Sequence, residues 1–355
     1  MPTLHPLLAR AQAAGTPLID GERVIFVWHG AHPPALVGDF NNWDHKQSAL
    51  AEVAPDVWAQ TLDFPRDTYM EYAFIVDPAK EERVPDPFNA RVTPNGMGKI
   101  NHYFYMPEAA PTPLAQPARR VPRGAVTRHV VQAPHVLVNG KRTVWLYRPA
   151  VSHPVPLVVV FDGRDYLRRA RLTTIADNLI AQGRMKPVAF AMADNGGPAR
   201  GVEYGCSEAT LGFIMNHLLP LAKKELDLVD FRASPGAYGL LSASMGGLIS
   251  LYVALRAPGI FGRVLSQSGA FWDDEYKPVV VDLVRDGAVR PIKVWMDVGR
   301  YEWLLGGNRM MHALLQQRGY DVAYREYNGG HNYPAWRDDV AHGLEWLYSR
   351  PESRL

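Results

Sequence analysis

Hydrophobic and polar positions along the 355-residue chain follow two different rhythms. Up to about residue 106, apolar positions come in short runs between turn residues. These runs are 24–29 (VIFVWH), 35–38 (ALVG), 58–62 (WAQTL), 69–76 (YMEYAFIV) and 100–105 (INHYFY). Short runs rich in β-branched and aromatic residues, punctuated by Gly, Pro, Asn and Asp, predict the strands of a small β-sandwich. A short helix is expected ahead of them over 7–14. Beyond residue 125, strand-like runs alternate with longer helical patterns. Strands are expected at 143–148, 157–161, 188–192, 238–241, 264–267, 293–296 and 322–327. Helices are expected near 170–182, 206–226, 245–256, 308–318 and 335–348. Such alternation predicts an α/β fold with a mostly parallel sheet covered on both faces.

The two rhythms meet at 107–122 (PEAAPTPLAQPARRVP), where Pro and Ala replace any periodicity. Proline holds itself and its predecessor in extended conformations. A linker is therefore expected over 107–124, between a sandwich domain (1–106) and an α/β domain (125–355).

Charge and composition remove several partners from consideration. Basic and acidic residues nearly balance at 38 and 36. The one basic cluster, 119–123 (RRVPR), is short and broken by Pro, so no nucleic-acid partner is expected. No apolar run approaches the roughly 18 residues of a membrane span, and no membrane partner is expected. Residues 1–15 lack the charged-then-apolar pattern of a secretory leader. The single cysteine, Cys206, precludes an intrachain disulfide. These features together lead to the expectation of a cytoplasmic protein. Neither an H-E-x-x-H motif nor a Cys/His ligand cluster occurs, so no metal is expected.

Chemistry concentrates in 238–255, YGLLSASMGGLISLYVAL. An apolar strand runs through Ser242, Ala243 and Ser244 into Met245, Gly246 and Gly247, and an apolar helix follows at once. A serine at a tight strand-to-helix turn presents its hydroxyl above the sheet edge and needs small neighbours. A hydroxyl alone is a poor nucleophile and requires a base and an oxyanion hole. The Met245 N–H, at the helix N-terminus, is one candidate donor. The motif departs from G-x-S-x-G in carrying Ser242 at the first glycine. Read without catalysis, Ser244 would simply cap the helix.

On this fold the triad runs in the chain order Ser, acid, His. Of the downstream histidines, His312 and His342 fall in helical patterns. His331 sits in the loop 328–332 (NGGHN), after the last strand and before the last helix. It is the expected base. The acid should follow the preceding strand, where Asp297 and Glu302 both qualify. Asp273 and Asp274 are alternatives on an earlier loop. A carboxylate there would orient His331 and stabilise its charged form. A second oxyanion donor is expected from Gly163 or Arg164, in 161–166 (FDGRDY).

These segments resemble the esterase D group of α/β-hydrolases, and most of all the enterochelin (ferric enterobactin) esterases. The resemblance covers about 125–350. It rests on 160–163 (VFDG), 200–204 (RGVEY), 218–220 (LLP), 244–248 (SMGGL), 261–269 (FGRVLSQSG) and 329–331 (GGH). Gly299 through Glu302, followed by Asn308 and Arg309, resembles the family's acid loop, which ranks Glu302 ahead of Asp297. The resemblance implies ester hydrolysis through an acyl-serine intermediate, without metal or organic cofactor. It implies a siderophore-type substrate, free or as its iron complex, for which Arg164 and Arg200 would supply positive charge. The segments 37–43 (VGDFNNW), 72–77 (YAFIVD) and 86–87 (DP), with Trp58, resemble early-set, immunoglobulin-like sandwiches of the glycogen-binding type. In that likeness Trp43 and Trp58 could stack on sugar, with core packing or contact with the hydrolase domain as the plainer role. The alternatives are thus a feruloyl or acetyl carbohydrate esterase and a non-catalytic glycan-binding protein. Oligomeric state is left open.

Overall fold

The structure is a computed structural model that describes residues 5–47, 50–80, 82–271 and 277–349. The chain separates into two compact units. One holds the N-terminal residues through Ala110 together with Gly299–Trp303 and Tyr327–Ala335. The other holds Pro111–Val298, Leu304–Glu326 and the chain from Trp336 onward.

The first unit begins with helix α1 (Pro6–Ala14) and continues through nine strands. These are β1 (Leu18–Asp20), β2 (Arg23–His29), β3 (Ala35–Gly38), β4 (Ala51–Ala54), β5 (Val57–Asp63), β6 (Tyr69–Asp77), β7 (Glu82–Val84), β8 (Val92–Pro94) and β9 (Ile100–Tyr105). They form two antiparallel sheets, ordered β1-β2-β5-β4 and β3-β6-β9-β8, with β7 on the side of β6. Alternate residues of a strand share a face. Val24 and Phe26 of one sheet thus meet Leu36, Met70, Tyr72, Phe74 and Phe104 of the other in one buried core. Phe26 packs edge-on against Tyr72 and Phe104 at centroid distances of 5.1 and 5.9 Å. Two sheets sharing inward side chains make a sandwich. The sequence reading missed β1, β4, β7 and β8, which are only three or four residues long and show no clear alternation.

The second unit is built on eight strands. They are β10 (Ala125–Gln132), β11 (Lys141–Arg148), β12 (Leu157–Val160), β13 (Ala189–Ala193), β14 (Tyr238–Ala243), β15 (Phe261–Gln267), β16 (Lys293–Gly299) and β17 (Asp321–Tyr327). Their order is β10-β11-β13-β12-β14-β15-β16-β17. The pairings of β11 with β10 and β13 are antiparallel, and those from β13 through β12, β14 and β15 to β16 are parallel. Every residue of β12, β13 and β14 is buried. That is why these strands read as continuous apolar runs: both faces of the sheet are covered. The helices are α2 (Gly163–Arg168), α3 (Leu172–Ala181), α4 (Arg200–Tyr204), α5 (Glu208–Phe213), α6 (Leu219–Glu225), α7 (Met245–Arg256), α8 (Val279–Asp286), α9 (Leu305–Gln317) and α10 (Tyr333–Tyr348). Among the described residues, no helix is long and apolar enough to cross a membrane.

Two expectations need correction. The helix expected over 206–226 is interrupted: a π turn at Ile214–Leu218 separates α5 from α6. Pro220 in the first turn of α6 has no N–H to continue the α-helical ladder. Nor is the expected linker a free tether from Pro111 onward. Pro113–Ala115 form a 3-10 turn capped by the Thr112 hydroxyl, with Leu114 and Ala115 buried. Asn178 on α3 donates to the Leu114 and Gln116 carbonyls at 2.7 and 2.9 Å. The Gly124 N–H reaches Asp177 at 2.9 Å. Backbone hydrogen bonds leave no trace in hydrophobic periodicity, so only the fold reveals this anchoring. Asn178→Ala orphans two carbonyls and should cost about 1–3 kcal/mol. Urea unfolding measures that loss, and limited proteolysis should show faster cutting within 111–124.

Candidate active site

Ser244 stands between the last residue of β14 and the first of α7. Its backbone has φ 59° and ψ −129°, a left-handed conformation that a non-glycine residue rarely adopts. Backbone bonds hold it there. Its N–H donates to the Gln267 carbonyl at 2.9 Å, and its own carbonyl accepts from Leu248 and Ala270, each at 3.1 Å. As the first residue of α7, Met245 has an N–H with no carbonyl one turn back.

Ser242, the departure from the glycine pattern, is fully buried and donates its hydroxyl to the Phe161 carbonyl at 3.1 Å. The substitution therefore leaves no orphan polar group in the core. It does impose a demand on Gly246, where an added Cβ would lie 2.2 Å from Ser242 Oγ. Serine at 242 thus makes glycine at 246 a steric requirement.

A buried polar brace lies behind this turn. Gln267 at the end of β15 is fully buried; its amide nitrogen donates to Asp297 Oδ1 at 3.2 Å and to the Trp336 carbonyl at 3.1 Å. Its oxygen accepts from Tyr166 at 3.0 Å. Burial, reinforced by the nearby Asp297 carboxylate, pushes the Tyr166 pKa well up and keeps that hydroxyl a donor. Asp297 itself also accepts from the Trp295 indole at 2.8 Å. Its carboxylate is engaged inside the sheet.

The loop after β12 carries the other expected oxyanion donors. Asp162 is buried in a left-handed conformation, φ 54°, and its carboxylate takes a bidentate pair from Arg200 at 2.8 and 2.7 Å. Asn195 adds a third bond at 2.7 Å. Arg200, expected to meet substrate, therefore spends its guanidinium on the fold. The Arg164 N–H donates to Asp194 Oδ1 at 2.8 Å, and its guanidinium reaches the same carboxylate at 3.2 Å. That bond engages the Arg164 N–H, one of the expected oxyanion donors, within the fold. The Arg164 side chain is mostly exposed.

Glu302 follows β16 and His331 follows β17. His331 Nδ1 is hydrogen-bonded to Glu302 Oε2, while Glu302 Oε1 accepts the Gly299 N–H at 2.7 Å. The Glu302 side chain is fully buried and the imidazole is 14% exposed. Trp303 lies against the imidazole at 4.6 Å between centroids and is 54% exposed. Sequence reasoning did not single out this indole; a large apolar residue directly after Glu302 was the available signal. Asp273 and Asp274 lie outside the described residues. Among the described residues, no group of three or more His, Cys, Asp or Glu side chains could hold a metal.

The aromatic residues expected to meet sugar have partners within the sandwich. The Trp43 indole donates to Asp39 Oδ1 at 3.1 Å and carries the Arg83 guanidinium over its ring at 5.1 Å. The Trp58 indole donates to the Gly30 carbonyl at 2.9 Å.

A strained serine between strand and helix, on a largely parallel sheet with antiparallel strands at one edge, defines an α/β-hydrolase-type enzyme. Residues 136–347 match the Esterase family, described as "Putative esterase", and the chain belongs to that family. It is 32% identical over 230 residues to the iron(III) enterobactin esterase of Dickeya dadantii (strain 3937). That match covers 59% of this chain and 52% of the relative, so the chain spans about half that protein's length. The iron(III) enterobactin esterase of Escherichia coli (strain K12) is 25% identical over 275 residues, covering 74% of this chain and 67% of that protein. The fold is similar to that of the enterobactin esterase of Shigella flexneri, determined in the presence of enterobactin. The TM-score is 0.74, at 21% identity, with 92% of each chain covered.

Gly246→Ala should abolish esterase activity or folding, because its Cβ would meet the Ser242 hydroxyl. Adding Ser242→Gly removes that obstacle and should restore part of the loss. Thermal melting and p-nitrophenyl acetate hydrolysis of the single and double variants measure the coupling.

Proposed function

We propose that this protein hydrolyses carboxylic esters through an acyl-serine intermediate, with Ser244 as nucleophile, His331 as base and Glu302 as the orienting acid. The observation that carries the reading is the buried Glu302 carboxylate on Nδ1 of a histidine in the NGGHN loop. The left-handed turn of Ser244 supports it. In the proposed reaction Ser244 Oγ attacks the ester carbonyl carbon and passes its proton to His331 Nε2. Charge moving onto the carbonyl oxygen is met by the N–H groups of Met245 and Gly163. The C–O bond breaks, and the leaving alkoxide takes the proton from His331. Water then attacks the acyl-serine with His331 again as base, releasing the acid and restoring the serine. Glu302 fixes the imidazole tautomer and stabilises its charged form throughout.

Siderophore-type esters are the favoured substrates. Support comes from the iron(III) enterobactin esterases among the relatives. The sandwich is assigned an immunoglobulin-like, early-set role. A glycan-holding role for Trp43 and Trp58 is the alternative, and retention on amylose lost in Trp43→Ala would favour it.

Ser244→Ala should lose at least about 10³-fold in p-nitrophenyl acetate hydrolysis and all labelling by a fluorophosphonate probe. Unchanged labelling would sink the assignment of the nucleophile. Glu302→Gln should lower kcat by about 10²-fold or more, whereas Asp297→Asn should lower thermal stability and retain more activity. The opposite order would move the acid to Asp297.

A further inference from the structure

The turn Asp39-Phe40-Asn41-Asn42-Trp43, in the segment that resembles a sugar-binding sandwich, has another task written in its bonds. Asp39 is 4% exposed. Its Oδ1 accepts from the Trp43 indole at 3.1 Å, and its Oδ2 accepts from the Glu71 N–H at 2.9 Å. The third donor is distant in sequence: Asn332 Nδ2, at 3.1 Å from Oδ2, from the residue directly after His331. The residue directly before His331 also meets this carboxylate. A Cβ added at Gly330 would stand 2.0 Å from Asp39 Cγ, so glycine lets the backbone lie against the carboxyl group. Both chain neighbours of the proposed base therefore touch one buried side chain.

The surroundings give that side chain a fixed position. Asn42 and Trp43 take left-handed backbone conformations, φ 52° and 62°, which bring the indole N–H back onto Asp39. Asn41 closes the turn by accepting the Gly38 N–H at 2.9 Å. Tyr69 N–H donates to the Asn328 carbonyl at 3.0 Å and Asn328 donates to Asp67 at 2.6 Å, holding the start of the histidine loop to the same unit. The Tyr301 N–H donates to the Gly329 carbonyl at 3.1 Å, tying the acid loop to the histidine loop. Three donors converge on Asp39. Burial and the neighbouring Glu71 push the Asp39 pKa well up, yet its two oxygens still offer more acceptor sites than the single oxygen of an asparagine, whose NH2 would face a donor. The chemistry of the position calls for the acid.

We propose that Asp39 is a positioning residue of the esterase reaction, holding His331 in register with Glu302 through Gly330 and Asn332. The inference rests on His331 being the base. It gives the sandwich unit a catalytic task that needs no bound sugar.

The test compares Asp39→Ala, Asn332→Ser and the double variant in the full chain. Serine at 332 keeps a cap for the Ala335 N–H, which Asn332 now accepts at 3.0 Å, and deletes only the donor to Asp39. The readouts are the second-order rate of fluorophosphonate labelling at Ser244, the downfield proton resonance of His331 Nδ1–H, and the melting temperature. Each single variant should label about 10- to 100-fold more slowly, as expected of a base moved slightly out of place. The double variant should be no slower than the slower single, and the Nδ1–H resonance should shift or broaden in all three. A folded Asn332→Ser that labels at the native rate with an unshifted resonance overturns the proposal, even if Asp39→Ala does not fold. His331→Ala separates the two ideas. If it labels at the native rate, the assignment of the base is wrong; if it is inert while Asn332→Ser is native, only the role of Asp39 falls.

Discussion

The positive φ of Ser244 is the constraint around which the rest of the hydrolase unit is organised. A non-glycine residue held in a sparsely populated region costs on the order of 1–3 kcal/mol, and it persists only where its surroundings over-determine it. Here three backbone bonds do so, two of them from the end of β15 and the residues beyond it. The buried Gln267, joined to Tyr166, Asp297 and Trp336, stiffens that strand end. The polar core beneath Ser244 thus maintains a geometry that the local sequence would not adopt alone.

Charge in the same unit is handled by pairing. Asp162 is neutralised by Arg200, and one guanidinium nitrogen of the buried Arg142 donates to both Glu203 oxygens at 2.6 and 2.8 Å. An uncompensated charge in either place would be strongly destabilising. Arg200 looks like a substrate ligand in the sequence because the signal there is only a positive charge near the expected site. Its carboxylate partner is 38 residues away, and pairing engages that charge within the fold.

The proposed acid and base are grouped with the sandwich rather than with the sheet whose strands they follow. That grouping makes the sandwich more than an appended domain. Its DFNNW turn spends its carboxylate and its indole on each other and on the histidine loop. The same residues that resemble a sugar-binding signature are thereby accounted for by internal bonds. A motif records which residues stand together, and the fold decides what they face.

The sequence by itself determined the alternation of strand and helix, the sandwich ahead of it, the serine turn and the histidine loop. These are local: apolar periodicity, small residues at a tight turn and glycines in a loop all act within a few positions. The tertiary structure decided the rest. It paired His331 with Glu302, engaged Asp297 with Gln267 and Trp295, committed Arg164 and Arg200 to carboxylates, and pinned the Pro-rich segment to α3. Apart from the Trp295–Asp297 bond within β16, each of those outcomes is a hydrogen bond between residues brought together only by folding. Its energy depends on distance and burial, quantities that residue order along a chain does not contain.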